Sequence, residues 1–213
     1  MNITAVYISL NSDSFEASTR SQYQFNSNYL TLFISDWLKK LKLNLGSFNR
    51  VVFEEGQKND FSIVGDKAFV ICLSEEFEGI HNFWKANDVH DYFVRKYIEG
   101  FKKLDSKFDL NLTDQIRSVL EVKFSNCLEY EVKAKSKKIR SFTVQVIHRY
   151  KYDIYELLVR VLDGKKEIVK EVVIYSYDPD PFVVHYDVNK IEIDASSVRV
   201  INKLRENTII FKF

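Results

Sequence analysis

Hydrophobic positions recur at helical spacing in three stretches before Glu129 and at every second position after it. Residues 3–10 interleave Ile3, Ala5 and Tyr7 with Thr4, Val6 and Ile8, which predicts a short strand buried on both faces. The polar stretch 11–28 reads as a loop or weak helix start, with helix onset expected near Ser27 or Asn28. From there Leu30, Phe33, Ile34, Trp37, Leu38, Leu41 and Leu45 form one apolar stripe. Lys39, Lys40 and Lys42 suit the negative end of that helix, and Gly46 suits a left-handed residue after it. Strands are expected at 50–54 and 67–73, the second apolar enough for the middle of a sheet.

Asn87 is the expected cap of a second helix, with Val89, Tyr92, Phe93, Tyr97, Phe101, Leu104 and Phe108 on one face. Gly100 interrupts it at a cost of ~1 kcal/mol relative to alanine, and would let another element approach closely. Thr113 is the expected cap of a third helix carrying Ile116, Val119, Leu120, Phe124, Cys127 and Leu128. It pairs with the second through residues 109–112.

Beyond Glu129 the period of two predicts strands at 130–135, 140–150, 153–162, 165–177, 182–186, 190–194 and 208–213. Asp163-Gly164 suits a two-residue type I′ hairpin, which needs positive φ at both central positions. That loop would set Val159 opposite Ile168, Tyr155 opposite Val172 and Arg160 opposite Glu167. It would also set Glu156 against Glu171, a like-charge pair that a four-residue loop removes. Asp178-Pro179-Asp180-Pro181 breaks the next connection. The fold class expected is α+β: an N-terminal strand-helix-strand and helix pair, then a C-terminal antiparallel sheet of five to seven strands. Without a linker or repeat, the chain is taken as one domain over 1–213, with 1–128 and 129–213 as alternative subdomains.

Composition narrows the function classes. The chain is 46% hydrophobic and 29% charged, too apolar for disorder. Its 17 Phe and 12 Tyr stand beside only 6 Gly, which disfavours a glycine-cradled phosphate site. Thirty-one basic residues against 30 acidic ones leave no global field toward nucleic acid or an anionic membrane. Cys72 and Cys127 sit in apolar runs without paired spacing and read as small buried hydrophobes. No apolar run approaches the about 20 residues needed to span a bilayer, and no signal-like segment opens the chain, so a cytoplasmic protein is expected.

Candidate chemistry is sparse. The histidines are His81, His90, His148 and His185. His90-Asp91 with His81 upstream resembles the metal-binding pair of HD-type phosphohydrolases, which implies an all-helical fold. This chain turns to strand, and Asp88 and Asp91 share a helical face that His90 leaves. Pro179-Asp180 offers the first half of a magnesium-nuclease pattern, but no acidic-x-Lys triplet follows. Asp187 and Lys190 are one residue too far apart, while Glu121-Val122-Lys123 and Glu131-Val132-Lys133 come earlier. No serine or cysteine lies in a glycine elbow. No catalytic residue, metal or cofactor is assigned.

Two charged segments remain as binding candidates. Glu75, Glu76 and Glu78 read either as a solvated acidic helix start or as a docking face for a basic protein. Lys133, Lys135, Lys137, Lys138 and Arg140 form the densest basic run, near His148, Arg149, Lys151 and the aromatics Phe142, Tyr150 and Tyr152. That group would hold single-stranded nucleic acid by phosphate contact and stacking, or simply guard an edge strand. The leading expectation is a non-enzymatic protein-binding module of the inhibitor or immunity type. Nucleic-acid binding is the first alternative and an enzyme with a site assembled from distant residues the second.

Overall fold

The computed structural model describes residues 1–56, 60–78, 85–180, 184, 186–203 and 208–212. Among them three helices and eleven strands make an α+β chain of two compact units, Met1–Leu128 and Glu129–Phe213. None of the helices is long and apolar enough to cross a membrane.

In the first unit β1 (Ala5–Leu10), α1 (Ala17–Leu41) and β2 (Arg50–Glu55) form the expected strand-helix-strand start. They are followed by β3 (Phe61–Val64), β4 (Ala68–Leu73), α2 (Ala86–Phe108) and α3 (Thr113–Phe124). The sheet runs β1-β2-β4-β3, with β1, β2 and β4 parallel and β3 antiparallel. Phe69 to Leu73 are buried, as an interior strand requires. β1 is an edge strand and not buried on both faces: Val6, Ile8 and Leu10 are covered while Tyr7 is exposed. β3 is short and half-exposed, and its two outward residues carried too weak an alternation to predict it.

Tertiary hydrogen bonds move the helix boundaries. α1 begins at Ala17, well before Ser27; its first residues are exposed, but Tyr23, Asn26, Ser27 and Asn28 are buried, so these polar turns pack as helix instead of looping through solvent. Ser35 Oγ accepts from Val6 N at 3.0 Å and donates to Val6 O at 3.2 Å, closing part of the β1 edge. Thr31 Oγ1 pairs with Tyr97 OH at 2.5 Å. The left-handed cap is Lys42 at φ 53°; Gly46, at φ 71°, serves the turn beyond it. Lys85, not Asn87, precedes the first turn of α2, and its N–H donates to Asp88.

Thr113 is the first residue of α3 and not its cap. Asp105 of α2 takes that role from outside, accepting from Leu112 N (2.9 Å), Thr113 N (2.8 Å) and Thr113 Oγ1 (2.6 Å). Asp105→Ala is expected to cost about 1–2 kcal/mol in urea unfolding, the upper range for losing a cap. Asp105→Asn, which keeps one acceptor oxygen, should lose less, and equal losses would contradict this assignment. Past α3, Cys127 is exposed, so only Cys72 is the buried hydrophobe expected of both.

The described residues of the second unit hold seven strands, in two sheets rather than one. β5 (Glu129–Ile139), β6 (Phe142–Lys151), β7 (Tyr155–Leu162) and β8 (Ile168–Tyr177) form an antiparallel meander. β9 (Lys190–Ile193), β10 (Ser197–Ile201) and β11 (Thr208–Lys212) form the second, ordered β11-β10-β9. Val144, Val146, Tyr155, Leu157 and Val159 from the first sheet share one buried cluster with Ile193, Val198 and Val200 from the second. β10 was not among the expected strands. Within 182–186, Val184 and Tyr186 have helical backbone; the other three positions of that expected strand lie outside the described residues.

The Asp163-Gly164 hairpin is longer than the two-residue form. Asp163 Oδ1 accepts from Lys165 N (2.8 Å) and Glu167 N (3.0 Å), and the positive φ falls on Lys166 at 68°. The resulting register sets Val159 opposite Val172, Arg160 opposite Glu171 and Glu156 opposite Ser176. The like-charge pair becomes a salt bridge, with Arg160 Nε 2.6 Å from Glu171 Oε2.

Candidate functional site

Ligands of open α/β sheets bind beyond the carboxyl ends of parallel strands, and in this chain those ends carry Glu55 and Ser74. Glu55 is 0% exposed. Tyr23 and Tyr92 both donate to its Oε1, Tyr92 at 2.5 Å, and Glu76 N donates to Oε2 at 3.2 Å. Lys96, 1% exposed, places its ammonium 3.4 Å from the same Oε2. That ammonium also donates to Ser74 O at 2.7 Å and lies 3.4 Å from Glu99. Burial, reinforced by the Glu55 charge, pushes both tyrosine hydroxyls well above their usual range, so they remain neutral donors. Burial opposes ionisation of Glu99, but bonds from Ser74 and the charges of Lys96 and Lys103 hold its carboxyl below the ordinary range.

This buried cluster organises the acidic segment above it. Residues 74–78 have no regular secondary structure and do not start a helix. Phe77 is buried edge-on against Tyr23, with centroids 5.0 Å apart, while Glu75, Glu76 and Glu78 on either side are exposed. The segment is thus held by an aromatic anchor, by the Glu76 amide on Glu55 and by Ser74 N donating 2.7 Å to Glu99. Glu76, Asp88, Asp91, Tyr92 and Arg95 line an open cleft of about 360 Å³ beside it. Four of those five side chains carry charge, three of them negative.

No known protein family, curated protein or solved structure matches this chain.

His90 Nδ1 bonds Tyr29 OH at 2.7 Å, and burial lowers the imidazole pKa despite the Asp91 charge beside it. His81 lies outside the described residues. The basic run is divided by a bulge between Lys133 and Lys135. Past the bulge Lys135 and Lys137 pair with Val146 and Val144, whose side chains belong to the core face. Their ammonium groups reach across to β9, donating to Ile191 O at 2.6 Å and Ile193 O at 2.8 Å. Lys133, Lys138 and Arg140 are exposed and are not drawn into that bridge. Tyr150, a proposed stacking platform, lies 5.2 Å from the buried Tyr155 ring, and burial pushes its hydroxyl pKa up to about 12.

Two charged clusters escaped the sequence reading. Arg149 and Arg160 each contact both Glu131 and Glu171, at 2.6 to 2.9 Å, across all four strands of the meander. Only the strand register brings these four side chains together. The Glu55–Lys96 pair did leave a signal: Lys96 follows Phe93 by three residues on the apolar face of α2, where a lysine is out of place.

Proposed function

We propose that the protein is a non-enzymatic binding module that docks a basic protein surface through Glu75, Glu76 and Glu78, with Asp88 and Asp91 continuing the acidic rim. The observation that carries this reading is the anchored segment: Phe77 is buried while the flanking glutamates stay in solvent. A rim already fixed loses less entropy on association, and its excess of negative charge, only partly offset by Arg95 3.5 Å from Glu76, speeds encounter with a basic partner. Glu55 and Lys96 support binding over catalysis, because each is enclosed and its hydrogen-bonding groups are engaged. An inhibitor or immunity-type role would use such a surface. The nucleic-acid reading loses support because Lys135 and Lys137 bond backbone carbonyls.

Capture from host extract followed by size-exclusion chromatography is the test. A one-to-one protein complex should form at about 0.1 M salt, weaken at higher salt, and be at least roughly tenfold weaker for Glu75→Lys/Glu76→Lys/Glu78→Lys. Lys133→Glu/Lys138→Glu should bind as the native protein does. A complex retained unchanged by the triple variant would sink the proposal.

A further inference from the structure

The second unit contains a cleft of about 460 Å³ where the β5–β6 turn faces the β9–β10 turn, a volume within the range of small-molecule sites. Its walls are apolar: Ile139, Val144 and Val161 line it, with Phe142, 42% exposed, at its lip. Arg140 and Lys170 also line it. Neither cation is in an ion pair among the described residues, whereas Arg149 and Arg160 of the same sheet are fully paired. Lys170 Nζ is held 5.2 Å from the Phe211 ring centroid. Arg140 sits at φ 55° in a two-residue turn between paired Ile139 and Phe142. Glycine or asparagine adopts that conformation at lower cost than arginine.

We propose that this cleft binds a small carboxylate with an apolar tail, its chain against Ile139, Val144 and Val161 and its charged head between Arg140 and Lys170. Apolar walls favour a hydrocarbon body over a hydrated inorganic anion, and two exposed cations without an ion-pair partner among the described residues favour a carboxylate over a neutral or cationic head. The site shares no residue with the acidic rim and stands independently of the docking proposal.

Decanoate titrated into the full chain by calorimetry tests it. Binding should saturate at one per chain, and the Kd should rise roughly tenfold in Arg140→Gly and in Lys170→Gln, the loss of one charge-assisted contact each. Arg140→Gly suits the left-handed turn, so weaker binding there cannot be ascribed to misfolding. Ala195→Trp, at the exposed opposite turn, should fill the cleft and abolish binding. Absence of decanoate binding at millimolar concentration, a Kd in both charge variants unchanged from that of the native protein, or decylamine binding as tightly as decanoate would each overturn the assignment.

Discussion

Replacing Glu55 with leucine is expected to lower the unfolding free energy of the first unit by about 3–5 kcal/mol, the range for removing one member of a buried ion pair. The side chain is fully enclosed and takes bonds from Tyr23, Tyr92 and the Glu76 amide besides facing Lys96. Its loss leaves two buried hydroxyls without their acceptor and an ammonium, 1% exposed, without its nearest buried counter-charge. Lys96 keeps Ser74 O and Glu99, but these lie toward the surface side of the cluster. Adding Lys96→Met should therefore recover roughly half of the loss, because the methionine carries no charge to strand. Urea unfolding followed by tryptophan fluorescence reads this unit selectively, since Trp37 and Trp84 both fall in its sequence. A loss below about 1 kcal/mol, or a double variant less stable than Glu55→Leu, would show that the cluster is not what joins α2 to the end of β2.

The same cluster shows why sequence periodicity found most of the elements, though not β3 or β10, and misjudged their limits. Alternation and helical spacing placed β4, α2 and the β5–β8 strands because each depends on which of its own residues face a core. Where a boundary depends on a distant partner, the local pattern fails. The polar turns of α1 look like a loop until Tyr23 is seen on Glu55 and Ser35 on Val6. Thr113 looks like a cap until Asp105 is found to take its amide and its hydroxyl. The hairpin is instructive in a different way. The Glu156–Glu171 clash in the short form is legible in the sequence, and the longer loop answers it by setting Arg160 against Glu171. The acidic segment was legible as charge, but the burial of Phe77 that fixes it was not, because a lone aromatic among glutamates has no period. The basic run was legible too, yet a bulge sends Lys135 and Lys137 onto the carbonyls of β9.

Gly100→Ala is expected to destabilise the first unit by about 2 kcal/mol, although helix propensity alone predicts a gain of roughly 1 kcal/mol. A Cβ at residue 100 would lie 2.5 Å from both Cδ1 and Cγ of Phe53, far inside van der Waals contact. Phe53 cannot easily yield. Its ring is fully buried on β2, 6.0 Å from Tyr97 and 5.3 Å from Phe101 in edge contacts, both on the helix that carries Gly100. The glycine thus sets how closely α2 approaches the sheet, and any added atom must push helix and strand apart. Such a shift would also strain the Lys96–Glu55 contact one turn earlier on α2. In a Phe53→Leu background the ring is gone, and Gly100→Ala should become neutral or stabilising, giving a coupling of about 2–3 kcal/mol in a double-mutant cycle. If Gly100→Ala instead raises the urea midpoint of otherwise native protein, the close approach of α2 to β2 is wrong.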